Sequence, residues 1–291
     1  MFSEVCGKHR SVIWRKVGDE PFAVVRLPGV SETFYNLESG CPIRSRYIQP
    51  KPTIMQQTTA IPYGRISIFF VFILALLTWG FYRTYIIFFP SFKGFSSVQH
   101  FHGAMMMTWM TMLIIQPLLI RFNKITIHRT IGKLSFVVAP LLIVSIFLIT
   151  KMVYVREDPP LPHDIKIGEM ALSLSNLLAF AFLYSMAIAN RRYTYAHMRY
   201  MIGTSLLMIG PGLGRALIIY FNVPGEKAID YVLYLEVVIA AAIMFNDVIH
   251  KRSFRATFIV LGAVGCMCLL WKFRMGALWQ NIGEFVAKNL F

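Results

Sequence analysis

Seven long apolar runs constrain this chain more than any other feature of its sequence. They cover residues 66–89, 98–120, 132–153, 168–189, 200–221, 231–249 and 255–273. Each is close to the ~20 residues with which a helix crosses the hydrocarbon core of a bilayer. Only helices and closed barrels satisfy backbone hydrogen bonds in lipid, and these runs lack the alternation of barrel strands. We therefore expect an all-α fold, a polytopic transmembrane helix bundle of about seven spans in contact with the lipid bilayer.

The charge of the chain agrees with a membrane protein. Only 15% of its 291 residues are charged, against about 25% in ordinary soluble domains. The basic excess is large, with 29 Lys and Arg against 14 Asp and Glu. These basic residues lie in short connectors and make no continuous patch, so the pattern excludes a nucleic-acid-binding protein. The charge pattern does not indicate which proteins, if any, bind this chain.

The connectors also predict the orientation of the bundle. Those after the second, fourth and sixth runs hold ten basic residues and one acid, Asp247. In the connectors on the opposite side, six basic residues are balanced by six acids. Because basic loops stay in the cytoplasm, we expect the N-terminus inside and the C-terminus outside. The ten basic residues are Arg121, Lys124, Arg129, Lys133, Arg191, Arg192, Arg199, Lys251, Arg252 and Arg255.

Two flanking segments complete the predicted domain organisation around a transmembrane domain of residues 66–273. Residues 1–65 form a polar tail without a sustained helical or strand period, which we expect to be poorly ordered or peripheral. Met55 precedes a short polar stretch and the first apolar run, so the alternative interpretation is that residues 1–54 arise from a mis-assigned start. Residues 274–291 predict an amphipathic tail that lies on the membrane surface or packs on the bundle.

Four polar residues define a predicted outer site within the membrane. Arg215 on the fifth run and Glu236 on the sixth are at similar depth, about 9 Å from the outer ends of their runs. They are expected to form an ion pair, either structural or functional, since charge is costly in lipid. Glu169 opens the fourth run, and His102, the deeper of two neighbouring histidines, lies near the start of the second.

A second polar group is predicted at the inner end of the bundle. Asp247 and His250 share one face of the sixth run, and His128 and His197 lie in the connectors just before the third and fifth runs. Each of these two histidines alone is explained as a residue facing lipid headgroups. Together with His250 they form a candidate ligand set for haem or a metal ion.

The order of several short motifs resembles an uncharacterised family of bacterial polytopic membrane proteins with a domain of unknown function. The resemblance covers residues 98–220 and rests on the set His100-Phe101-His102-Gly103, Trp109, Gln116, His128-Arg129-x-x-Gly132, His197-x-Arg199, Pro211 and Arg215. It implies a bacterial inner (plasma) membrane protein and no particular activity. A more distant likeness links the chain to transmembrane b-type cytochromes, in which histidines at helix ends hold haem. That likeness implies haem b as a cofactor.

The sequence leaves four functions open. The first is a redox protein that binds haem b through His102, His128, His197 or His250. The second is a proton-coupled small-molecule transporter, in which Glu236 takes up the proton and a break at residues 211–214 frees backbone groups for a ligand. The third is a metal-dependent intramembrane enzyme, and the fourth is a non-catalytic sensor, assembly factor or structural partner. The sequence contains no phosphate-binding loop, dinucleotide fingerprint or serine-hydrolase elbow, so whether it is an enzyme stays open.

Overall fold

The structure is a computed structural model. It describes residues 12–17, 20–25, 33–35, 61–157 and 160–291. The N-terminal 61 residues and residues 62–291 are separate units. Most of the predicted polar tail, including Met55, lies outside the described residues.

The described part of the N-terminal unit consists of three short strands. They are β1 (Val12–Val17), β2 (Glu20–Val25) and β3 (Thr33–Tyr35), and they form an antiparallel sheet in that order. Val12 pairs with Val25, and Ala23 pairs with Tyr35. The sequence analysis found no strand period here because segments of 3–6 residues are too short to show one.

The described part of residues 62–291 consists mainly of nine α-helices joined by short connectors. The nine helices are α1 (Tyr63–Tyr82), α2 (Ser97–Arg121), α3 (Ile125–Tyr154), α4 (His163–Ala189), α5 (Thr194–Leu206), α6 (Ile209–Phe221), α7 (Gly225–Ile249), α8 (Arg255–Lys272) and α9 (Ala277–Leu290). A short 3₁₀ turn, Ile86–Phe88, lies between α1 and α2.

Seven segments of this unit are long and apolar enough to cross a membrane. They are α1, α2, α3, α4, the α5–α6 pair, α7 and α8. The prediction of an all-α bundle with seven spans is therefore confirmed for this unit, and the chain is a multi-pass integral membrane protein. Below, "outer" and "inner" denote the two ends of the bundle as the connector charges predict them.

Several helices extend beyond the apolar runs, because a helix continues into the polar headgroup region where its end residues are solvated. α3 begins at Ile125 and α5 at Thr194, so His128 and His197 lie on helices and not in connectors as predicted. His163, also predicted in a connector, is the first residue of α4. The first run is shorter than predicted, since α1 ends at Tyr82.

The fifth span is broken in its middle, between α5 and α6. The sequence placed the break at residues 211–214, but the structure places it earlier, at Leu207 and Met208. Pro211 stands in the first turn of α6, where a backbone N–H has no partner within the helix and proline is tolerated. Leu207 and Met208 are only 1% and 2% exposed, so the break is enclosed by the bundle.

The C-terminal helix α9 packs on α4 through one face. Trp279 is buried there and donates its indole N–H to the carbonyl oxygen of Ile167 over 2.9 Å. The predicted apolar face, with Leu278, Ile282 and Phe285, is exposed on the other side. The helix therefore packs against the bundle and still presents an apolar face outward.

Candidate functional site

The break in the fifth span brings the N-terminus of α6 against a buried acid of α7. Glu236 is 2% exposed, and its Oε1 accepts the backbone N–H of Gly210 over 3.0 Å. Its other carboxyl oxygen, Oε2, is buried and has no hydrogen-bond partner among the described residues. The N-terminus of a helix carries partial positive charge and free N–H groups, which explains why the carboxyl group is held there.

The other side of the break is held by α4. The side-chain amide of Asn176 donates to the carbonyl oxygen of Leu207 over 3.1 Å. Two polar side chains from two other helices thus bond backbone groups that the span leaves free: the break frees the N–H of Gly210, and the carbonyl oxygen of Leu207 has no helical donor because residue 211 is proline. We call Gly210, Glu236, Asn176 and Leu207 the break site.

The predicted ion pair between Arg215 and Glu236 is absent from the described structure. Arg215 donates from Nη1 to the carbonyl oxygen of Pro211 over 3.1 Å, and its guanidinium lies 4.3 Å from the ring centre of Phe81. The prediction failed because α7 begins at Gly225, six residues before the apolar run used to measure depth. Glu236 is therefore about 16 Å from the outer end of its helix, and Arg215 about 9 Å.

Of the other predicted outer residues, His102 approaches Arg215 and Glu169 does not join the site. His102 is close enough to Arg215 for their charges to interact. Its Nδ1 lies 3.0 Å from the hydroxyl of Ser145, which donates its own proton to Leu142. Nδ1 must therefore be the donor, and Nε2 is left for other contacts. Glu169 is exposed and lines a small cleft beside Arg156.

At the inner end, Asp247 lies in a network that the sequence did not predict. Its side chain is fully buried and accepts hydrogen bonds from Arg199, Tyr195 and Thr257. Arg199 Nε donates to Oδ2 over 3.0 Å, and the same carboxylate forms an ion pair with Nη2. The network links α5, α7 and α8, and every oxygen of Asp247 is satisfied.

The inner histidines separate into a pair and a single residue. His128 and His197 are close enough for their charges to interact. The Nδ1 of His197 lies 2.8 Å from the carbonyl oxygen of Ala187, which only accepts, so its Nε2 is left for a ligand. The Nδ1 of His128 is buried without a partner among the described residues. His250 is exposed and bonded to Asn246, so it does not join Asp247 as predicted.

Among the described residues, no group of three or more His, Cys, Asp and Glu side chains is arranged to hold a metal ion. The chain matches no protein-family model, no curated protein and no solved structure. Its function must therefore be argued from the site itself.

Sequence reasoning missed the partners of both central acids. Arg199 and Asp247 both lie near the inner ends of their helices. Estimating depth from the number of residues to the helix end, as was done for Arg215 and Glu236, could therefore have predicted this pair. The bond between Glu236 and Gly210 had no such signal. It depends on where the fifth span breaks, and no side chain of Gly210 marks the contact.

Proposed function

We propose that this protein is a proton-coupled membrane carrier in which Glu236 binds the proton. The observation that carries the proposal is the break site. There the buried carboxyl group of Glu236 accepts the Gly210 N–H at the start of α6 through Oε1, and its Oε2 has no hydrogen-bond partner among the described residues. The substrate is a small molecule that moves with the proton.

The energetics of Glu236 support a proton-binding role. A carboxylate without a paired cation costs several kcal/mol in a low-dielectric interior. No Lys, Arg or His of the described chain forms an ion pair with Glu236. A proton on the carboxyl group removes this cost with a single bond, whereas a hard metal ion such as Mg²⁺ or Ca²⁺ requires about six or more oxygen ligands. The unpartnered Oε2 is the oxygen available for that proton.

The broken span supports the coupling of this proton to a structural change. Discontinuous helices near the bilayer midplane form substrate and ion sites in many secondary carriers, because their exposed backbone groups bind ligands. Here the charge on Glu236 determines how strongly its carboxyl group holds the Gly210 N–H at the start of α6, since charged acceptors form stronger hydrogen bonds. Binding and release of the proton would therefore change how firmly α6 is held against α7.

The location of the protein is also part of the proposal. The resemblance to a bacterial family and the basic connectors support placement in a bacterial inner membrane, with the N-terminus in the cytoplasm. A proton gradient exists across such membranes, and it would drive a carrier of this kind.

A redox protein that binds haem b is a second candidate, favoured by His128 and His197 alone. His197 donates from Nδ1 to a backbone carbonyl oxygen, an arrangement that orients a histidine whose Nε2 binds a metal. His128 offers a buried nitrogen without a partner. These two residues would be the axial ligands, and an absorption spectrum tests the assignment.

Replacement of Glu236 by glutamine tests the carrier proposal. The amide retains an oxygen for the Gly210 N–H but cannot exchange a proton. Infrared difference spectra of the purified wild-type protein between low and high pH should contain a carboxylic acid C=O band that Glu236→Gln removes. In proteoliposomes loaded with a pH-sensitive dye, an imposed inward pH gradient should drive proton entry faster through wild type than through the variant.

Glu169→Gln is the matched control, because Glu169 is exposed and outside the break site. It should retain the infrared band of Glu236 and the proton flux. The proposal is wrong if Glu236→Gln leaves both the band and the flux at wild-type values.

A further inference from the structure

Arg215 is a cation in the membrane-spanning part of the bundle that has no acidic partner among the described residues. The described ion pairs at the outer end join Lys272 to Asp230 and Arg274 to Glu226. Arg215 takes part in none of them, and its hydrogen bond to Pro211 uses one of the five N–H groups of a guanidinium. The remaining donors form no hydrogen bond with the described residues.

The side chain of Arg215 points away from the direction usual for a basic residue near the end of a span. Long basic side chains near the end of a span normally extend toward the headgroups. Arg215 instead bends toward Pro211, one turn deeper in the membrane, and lies over the ring of Phe81 at 4.3 Å. These two contacts hold the guanidinium beside the outer end of α1, which stops at Tyr82, while the backbone of Arg215 is about 9 Å from the outer end of α6.

A second polar group lies nearby. His102 is within electrostatic range of Arg215, and its Nδ1 is committed to Ser145. Its Nε2 therefore offers one further polar contact to a ligand bound at Arg215. A positively charged fork with a neighbouring imidazole suits the oxygens of a carboxylate or phosphate group.

We propose that Arg215, with His102 within electrostatic range of it, binds the anionic group of a small carboxylate or phosphate that the carrier moves. The inference rests on the proposed function and deepens it, because it assigns the charge of the substrate. Arg215 and Gly210, the residue that Glu236 holds, lie on the same half-helix, so an anion at Arg215 and a proton at Glu236 would both act on α6. If the substrate is a monoanion, one proton and one substrate molecule would cross the membrane together with no net charge.

The test measures binding by thermal stability, since a ligand that binds only the folded protein raises its melting temperature. Wild type in uncharged maltoside detergent, free of added phospholipid, is melted in sodium lactate, sodium phosphate or sodium chloride at equal ionic strength. Lactate or phosphate should raise the melting temperature above its value in chloride. Arg215→Gln should weaken the apparent affinity by about 10-fold or more.

Two further variants separate the anion site from general effects. Arg83→Gln removes another arginine near the outer end, one that lies over Tyr220, and should retain the wild-type response. Arg215→Lys retains the positive charge without the paired donors of a guanidinium, so it should show a stabilisation by lactate or phosphate between those of Arg215→Gln and wild type. If Arg215→Gln fails to fold, the contrast between Arg215→Lys and Arg83→Gln still measures the site.

A lipid headgroup is the other source of an anionic oxygen, and it has its own experiment. The same preparations are melted with added phosphatidylglycerol. Stabilisation by this lipid alone, lost in Arg215→Gln, would show that Arg215 holds a lipid headgroup and would overturn the assignment of a transported anion. The inference is overturned if no anion stabilises wild type, or if Arg215→Gln responds as wild type does. The infrared band of Glu236 is measured on the same samples, so this failure is distinguishable from failure of the proton site.

Discussion

At the scale of single residues, the two buried acids of α7 are in opposite states. Asp247 is fully satisfied by Arg199, Tyr195 and Thr257, whereas Glu236 has one oxygen without a partner in the described part of the chain. A satisfied buried ion pair fixes helix positions, and an incompletely bonded acid can exchange a proton. The contrast explains why the function is assigned to Glu236 and a structural role to Asp247.

Removal of one partner from the inner ion pair should destabilise the protein strongly. Asp247→Ala leaves Arg199 buried without a counter-charge, which typically costs about 3–5 kcal/mol. The melting temperature of Asp247→Ala in detergent should therefore fall well below that of wild type. The double variant Arg199→Met, Asp247→Leu removes both charges and should melt at a higher temperature than Asp247→Ala.

Glu284→Gln is the control for this measurement. It breaks the His163–Glu284 contact, in which both side chains are more than half exposed. Exposed pairs contribute about 0–1 kcal/mol, so the melting temperature should barely change. Equal melting temperatures for Asp247→Ala and Glu284→Gln would show that the buried network does not stabilise the bundle.

At the scale of elements, the position of α6 is set by its close packing on α1. A Cβ atom on Gly212 would lie 2.8 Å from the Cα of Leu77 and 2.9 Å from the carbonyl oxygen of Leu76. These are backbone atoms, which cannot move aside without separating the helices. Small residues let membrane helices approach closely, and here Gly212 serves that purpose.

Gly212→Ala should therefore separate α1 from α6 and lower stability by about 1–3 kcal/mol, the typical cost of overpacking. Gly214→Ala, two residues along the same helix, is the control because a Cβ there meets no atom within 4 Å. Thermal melting of both variants in detergent measures the difference. If Gly214→Ala melts at or below the temperature of Gly212→Ala, close packing against α1 is not the reason that a side chain at residue 212 destabilises the protein.

At the scale of the whole molecule, an absorption spectrum separates the two candidate functions. Bound haem b would give wild type a Soret band that shifts on reduction with dithionite, and His128→Ala or His197→Ala would abolish the shift. His250→Ala is the control, since His250 is exposed and bonded only to Asn246. A colourless protein, purified from cells supplied with haem, would exclude the redox candidate and retain the carrier.

The sequence predicted the architecture well and the site only in part. Apolar runs revealed all seven spans, since the length of a span is set by the bilayer and is visible locally. The same runs misjudged where α3, α4, α5 and α7 begin, because helices continue past the apolar core into residues that hydropathy counts as connectors. Because of this error, Glu236 was predicted at too shallow a depth. It was therefore paired with Arg215, whereas in the structure it bonds to Gly210.

The sequence by itself therefore determined that this is a multi-pass membrane protein and which polar residues lie at membrane depth. Those properties follow from composition along one helix at a time. Only the tertiary structure decided that the fifth span breaks at Leu207, that Glu236 meets Gly210, and that Arg199 pairs with Asp247. Contacts between helices depend on the rotation and depth of both partners, and these are fixed by the packing of the whole bundle.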